Sequence, residues 1–213
     1  MKPLPLIVSS PSGAGKTTLT ARLQQQIPDL RFSVSHTTRA PRGNEQDGQQ
    51  YHFVDHGEFR RLVEAGQFLE WAEVHGNLYG TSRSEIEAAA GKRGIIFDID
   101  HQGARQIRTA EPGAVSIFIL PPSMETLLQR LRGRASDDEP TVQRRFSAAR
   151  AEITHYGMFD YVLVNDDLDK ATTQLVSIFR AEECRRLRAA RHAERLLAVD
   201  LDRLGVSVDS DPK

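Results

Sequence analysis

Cysteine is almost missing from this chain: Cys184 stands alone among 213 residues. One thiol excludes an intrachain disulfide, so the fold must be held by its core. No apolar run approaches the roughly 18 residues of a membrane-spanning helix. The start, Met1-Lys-Pro-Leu-Pro-Leu-Ile-Val, lacks a signal-peptide core of sufficient length. Neither sign of charge is in excess: 28 Lys and Arg balance 29 Asp and Glu, a formal net charge of −1. That balance removes the bulk attraction expected of a nucleic-acid or membrane-surface binder. His52, His56, His75 and His101 are not spaced as metal ligands. No internal repeat is visible. What remains is an ordinary globular composition, 39% hydrophobic and 27% charged. Its length suits one domain with a substantial core and inserted subdomains. A reducing cytoplasm is compatible with such a chain.

The strongest positive signal is Ser10-Pro-Ser-Gly-Ala-Gly-Lys-Thr-Thr18. It follows an apolar strand pattern, Leu4 to Ser9, and precedes a helical one with Leu19, Leu23 and Ile27. Strand, glycine-rich turn, Gly-Lys-Thr and helix make a phosphate-binding loop. Gly13 and Gly15 let backbone N–H groups point at phosphate oxygens. The helix start near Lys16 adds its positive dipole end. Lys16 brings a cation to the terminal phosphates, and the Thr17 hydroxyl is suited to Mg²⁺. Ser10 stands where the strict pattern has its first glycine.

Short apolar runs then alternate with helical patterns. Strands are expected at Leu6-Ile-Val, Phe32 to Ser35, Gly94 to Asp100, Ala114 to Leu120 and Tyr161 to Val164. Five such strands separated by helices imply an α/β fold with a parallel sheet. Tyr51 to Val54 and Phe68 to Trp71 read as extended segments of a separate region. Helices are expected over Gly15–Ile27, after an Asp55/Glu58 capping box, over Ser84–Ala90, after Ser123, over Thr141–His155, and from Asp169 to about Val199. In an open α/β sheet, ligands sit at the strand carboxyl ends. Ser35 to Arg39, Asp98 to Asp100 and Asn165 to Asp167 should therefore converge with the phosphate loop on one rim.

Arg39 and Arg42 stand three residues apart with Tyr51 shortly after, two guanidiniums and a phenol able to clamp a phosphate. Glu70, Tyr79, Thr81 and Asp100 add acceptors and hydroxyls. Taken together, several blocks resemble the guanylate kinase family. They are Ser33-Val-Ser-His-Thr-Thr-Arg-Ala-Pro-Arg, Gly48-Gln-Gln-Tyr-His-Phe-Val, Phe68-Leu-Glu-Trp-Ala, Tyr79-Gly-Thr, Asp98-Ile-Asp-His-Gln-Gly, Arg130-Leu-Arg-Gly-Arg and Val164-Asn-Asp-Asp. They occur in that family's order, and the likeness covers roughly residues 5 to 185.

The resemblance implies a P-loop kinase core with a five-stranded parallel sheet flanked by helices, a GMP-binding insertion and a lid. The core would take residues 1–35 and 95–205, the insertion 36–94, the lid about 131–147, and 206–213 would form a frayed tail. The implied reaction is phosphorylation of GMP, and of dGMP, by ATP with Mg²⁺. Ser12, Gly13, Ala14, Gly15, Lys16, Thr17 and Thr18 would hold the ATP phosphates, with Asn165 on the adenine side. Ser35, Glu70, Thr81 and Asp100 would contact guanine. Arg39, Arg42, Tyr51 and Tyr79 would hold the GMP phosphate. Arg130, Arg134 and Arg145 would join Lys16 and Arg39 in neutralising the transferring phosphoryl. Asp98 would orient Mg²⁺ through water. The chemistry agrees: guanine presents N1–H and a 2-amino group, and ionised carboxylates are acceptor-only. Partners would be small nucleotides, with neither nucleic acid nor membrane involved. His36, Ala135-Ser136 and Pro140 depart from the family's common residues. Arg132 and Arg150 are expected on a solvated helix face. Two rival readings are a non-catalytic scaffold on the same fold and a kinase acting on a different phosphorylated acceptor, such as a ribose phosphate.

Overall fold

The computed structural model describes residues 2–74, 76–133 and 138–199. Its centre is a five-stranded parallel sheet of β1 (Leu4–Ser9), β2 (Leu30–Phe32), β7 (Gly94–Asp98), β8 (Val115–Leu120) and β9 (Tyr161–Val164), in the order β2-β7-β1-β8-β9. Successive side chains of a strand face opposite ways. Leu4, Leu6 and Val8 of β1 join Ile96, Val115, Ile117 and Ile119 in one buried cluster, while Ile7 joins Ile95, Phe97 and Phe118 in the other. Both faces are apolar because both are covered. On the first lie α1 (Lys16–Gln26) and α7 (Leu168–Glu183), through Leu19, Leu23, Leu175 and Phe179. On the second lies α4 (His101–Ala110), through Ala104 and Ile107.

A second sheet holds β3 (Ser35–Thr37), β4 (Tyr51–Phe53), β5 (Phe68–Val74) and β6 (Asn77–Ser82), in the order β4-β3-β6-β5. Helix α2 (His56–Glu64) covers it through Phe59, whose ring meets Phe68 at 4.6 Å. Asp55 caps α2 by accepting from the Glu58 N–H, as the capping pattern requires. The chain returns to the parallel sheet through α3 (Ser84–Ala88).

Two more helices pack on each other, α5 (Met124–Arg132) and α6 (Glu139–Ile153), around Leu127, Leu131, Val142 and Ala149. Ser123 caps the first and Asp138 the second. A final helix, α8 (Arg186–Leu197), follows α7.

The structure corrects the sequence reading at several elements. The single strand expected over Phe32 to Ser35 is two strands in two sheets. Between them, the Ser33 N–H goes to the Ile96 carbonyl, and the Glu85 carboxylate takes the Val34 N–H and the Arg31 guanidinium. These side-chain bonds turn the backbone from one sheet into the other. The helix expected from Asp169 to Val199 breaks at Cys184 and Arg185, where Arg185 is extended at φ −55°, ψ 137°. Beyond the break, Leu187, Leu196 and Leu197 are exposed instead of lining a core. Helix α4 has few apolar residues to signal it, and the capping Asp100 and the sheet beneath decide it. The sixth helix starts two residues earlier than expected, at Glu139, because Asp138 caps it with Pro140 in its first turn. The expectations for Arg134, Ala135, Ser136 and the tail 206–213 fall outside the described residues. Arg132 and Arg150 are exposed, as expected, and Arg132 pairs with Glu139.

Candidate active site

The phosphate loop joins β1 to α1 at the carboxyl end of the central strand. Gly13 and Gly15 have φ of +92° and +98°, a left-handed backbone that suits glycine. Space enforces the choice as well. A Cβ on Gly13 would lie 3.0 Å from Leu127, and one on Gly15 would lie 2.3 Å from the Asn165 amide nitrogen. The loop is wedged between α5 and the end of β9. Asn165 donates to the Ala14 carbonyl at 2.7 Å, and Arg130 donates to the Asn165 carbonyl at 3.0 Å. Lys16 forms an ion pair with Asp98 at the end of β7. Thr17 and Thr18 are exposed on the first turn of α1. The Ser12 N–H points to the Glu152 carboxylate of α6 at 3.3 Å.

A second group assembles on the insertion sheet. Glu70 of β5 and Thr81 of β6 are cross-strand partners, and the Thr81 hydroxyl donates to Glu70 at 2.6 Å. The Ser35 and Thr81 hydroxyls are 3.0 Å apart. Thr81 has one proton; with Glu70 ionised it goes to Glu70, and Ser35 donates to Thr81. Asp100 caps α4 by accepting from the Gln102 and Gly103 N–H groups. Gly103 is small for a reason: a Cβ there would lie 2.6 Å from Glu70 Oε2. Burial pushes the Glu70 carboxyl up to about 7, with the Asp100 charge adding to the effect and Thr81 opposing it. The two carboxylates are near enough to act on each other, and burial holds Glu70 well above the ordinary carboxylate range.

Between these groups lies a cationic and phenolic set. The Arg39 guanidinium makes two 3.0 Å bonds to Glu45 and one of 2.7 Å to the Ala40 carbonyl. It stacks 5.2 Å from the Tyr51 ring centre, and Tyr51 meets Tyr79 edge-on at 6.0 Å. Burial raises the Tyr51 phenol, with the charge of Asp98 the next contribution. Asp98 belongs to the phosphate-loop side, so its charge is felt at Tyr51 on the insertion sheet. Arg42 is exposed, and only its backbone N–H is drawn in, by Glu45. Arg145 sits half-buried on α6.

The expected convergence therefore holds for Asp98 and Asn165, which both touch the loop. Ser35 lies in the second sheet instead and reaches the site through Thr81 and Glu70. Asp167 turns away to cap α7. Sequence reasoning missed Glu45 and Glu152. Glu45 lies in a polar segment and reads as an ordinary solvated acid. Glu152 lies 140 positions from the loop it touches, and nothing local marks it.

A parallel sheet of this order with a glycine loop and Lys16 at the end of its central strand defines a P-loop α/β nucleotide-binding protein. Comparison with known proteins narrows the class. The guanylate kinase family model matches residues 2–182. The chain is 51% identical over 193 residues to a guanylate kinase of Aromatoleum aromaticum, covering 90% of this chain and 93% of the relative. It is 49% identical over 205 residues to a guanylate kinase of Myxococcus xanthus, covering 95% and 93%. A crystal structure of guanylate kinase from Anaplasma phagocytophilum superposes with a TM-score of 0.73 at 34% identity, covering 97% of each chain. The chain belongs to the guanylate kinase family.

Proposed function

We propose that this chain transfers the terminal phosphoryl group of ATP to the phosphate of GMP, and of dGMP, giving ADP and GDP or dGDP. Family membership over residues 2–182 supports the reaction. The observation that carries the base assignment is the Glu70–Thr81–Ser35 set beside Asp100. It offers acceptors where guanine has N1–H and 2-amino donors. In this reading, residues 36–94 form the GMP-binding insertion, and about 131–147 act as a lid over the core. Ser12 to Thr18 hold the ATP phosphates, and Asn165 braces the loop from below as well as bordering the adenine side. Arg39, Arg42, Tyr51 and Tyr79 take the GMP phosphate. Arg39 then exchanges part of its Glu45 pair for phosphate oxygens, on a guanidinium already oriented by stacking.

The reaction needs no covalent nucleophile on the protein. A phosphate oxygen of GMP attacks, the bond to the ADP oxygen breaks, and charge spreads over the moving phosphoryl. Lys16, Arg130, Arg145 and Arg134 supply positive charge around it. The donor set fits Mg²⁺ carried in with the nucleotide. Thr17 offers a hydroxyl and Asp98 a carboxylate, and the described residues contain no group of three or more His, Cys, Asp or Glu placed to hold a metal. Such an ion takes few protein oxygens and completes its shell with phosphates and water. When bound, it neutralises phosphate charge and helps to align the transfer. No described helix is long and apolar enough to cross a membrane, and we place the enzyme in the cytoplasm. A coupled assay with ATP and GMP tests the proposal. Turnover of GMP supports it. No turnover, or preference for a ribose phosphate, favours the scaffold or the alternative kinase.

A further inference from the structure

The Ser12 N–H belongs to the turn whose backbone donors face phosphate, yet here it points to a carboxylate, Glu152 Oε2 at 3.3 Å. Glu152 is not a loose surface acid. It lies on the face of α6 that carries Val142, Arg145 and Ala149, at spacings of three, four and three residues. Val142 and Ala149 are buried against Leu127 and Leu131 of α5, the side chains that pack beneath Gly13. One rigid helix pair therefore supports the loop and presents an anion to it. The bond is longer than the roughly 2.7–2.9 Å of a strong charge-assisted contact, so it satisfies the donor without holding it tightly. We propose that Glu152 is a placeholder in the phosphate loop: it occupies the Ser12 N–H while nucleotide is absent and competes with an ATP phosphate for it. A carboxylate and a phosphate oxygen cannot share one N–H without repulsion, so part of the ATP affinity is lost in displacing Glu152. The same displacement is felt by α6 and by Arg145, about two turns away on the same face.

This inference rests on the reading that Ser12 to Thr18 hold the ATP phosphates, and the test separates the two. The probe is Mg²⁺ with a non-hydrolysable imido analogue of ATP, titrated by calorimetry into wild type, Glu152→Gln, Glu152→Asp and Lys16→Ala. KM values for ATP and GMP are measured on the active variants. Glu152→Gln keeps the size and removes the charge. It should bind the analogue roughly three- to tenfold more tightly, the size of one ordinary hydrogen bond, because the 3.3 Å contact that is lost is a weak one. KM for ATP should fall with it while KM for GMP stays unchanged, a split that a merely structural role would not produce. Glu152→Asp withdraws the carboxylate by one methylene and should shift affinity the same way; it decides the matter if the glutamine variant does not fold. Unchanged or weaker analogue binding overturns the placeholder. Lys16→Ala binding the analogue as well as wild type would overturn the phosphate-loop reading itself, whatever the Glu152 variants do.

Discussion

Glu70 and Thr81 face each other across the β5–β6 pair, with the threonine hydroxyl donating to the carboxylate at 2.6 Å. The contact fixes the rotamer of an acid that is only 4% exposed. A buried acceptor with one donor supplied by the protein has capacity left for a ligand.

Base choice should follow from that spare capacity. Wild type should prefer GMP strongly over AMP, with IMP poor but better than AMP because it keeps N1–H. A site built to hydrogen-bond a substrate group rejects analogues lacking it by roughly 10⁴-fold. Glu70→Gln places an NH₂ where one oxygen stood and should cost about 1–3 kcal/mol on GMP, roughly ten- to a hundredfold in kcat/KM. The decisive numbers are kcat/KM for GMP, IMP and AMP on both proteins. Equal use of AMP and GMP by wild type, or full discrimination by the variant, would refute the role of Glu70.

The same burial predicts a pH effect on stability. The Glu70 carboxyl is raised from its ordinary 4.5 to about 7, chiefly by burial. A raised carboxyl favours the protonated folded state. Its contribution is fully present below the unfolded value and is lost as pH rises from about 4.5 through 7. The loss should be roughly 3 kcal/mol. Glu70→Gln should remove this component, so the stability of wild type relative to the variant should decline between pH 4.5 and 7. Denaturant melts at several pH values measure it. A constant difference between the two proteins across that range would show that the burial does not act as described.

Lys16 and Asp98 form an ion pair with both side chains about one-fifth exposed. Lys16→Ala should lower kcat by orders of magnitude, since the cation faces transferring charge. The fold should be kept, because the pair lies at the rim of the sheet where Asp98 stays in reach of water once Lys16 is removed. Steady-state kinetics beside a thermal melt checks both halves. Near-normal turnover in a folded variant would remove Lys16 from the machinery.

Gly15 and Asn165 define the loop from two sides. Gly15→Ala meets a 2.3 Å contact with the Asn165 amide and a φ of +98°. KM for ATP should rise about tenfold or more, from left-handed strain of roughly 1–2 kcal/mol plus the clash. Asn165→Ala loses the bond to the Ala14 carbonyl and the adenine-side contact without clash or strain, so the rise should be several-fold, with KM for GMP unchanged in both variants. If Gly15→Ala kept wild-type ATP kinetics, the loop would not need this conformation to bind nucleotide.

Much of the molecule is determined by local pattern. Four of the five parallel strands, the caps at Asp55 and Ser123, and the phosphate loop follow from residues adjacent in sequence, because hydrophobic period, capping and backbone freedom are local properties. Tertiary structure decided what depends on distant partners. Ser33 and Val34 turn from one sheet to the other because Ile96 and Glu85 accept their N–H groups. The long C-terminal helix breaks at Arg185, although the apolar pattern runs through it. Arg39 is held by Glu45, Asn165 supports Ala14 from 151 positions away, and Glu152 reaches Ser12. Nothing local sets Glu70 apart from an ordinary strand acid; its carboxyl is raised only when β6, Asp100 and Gly103 close around it. Such properties arise from burial and convergence, which the packed chain creates and a linear spacing does not encode.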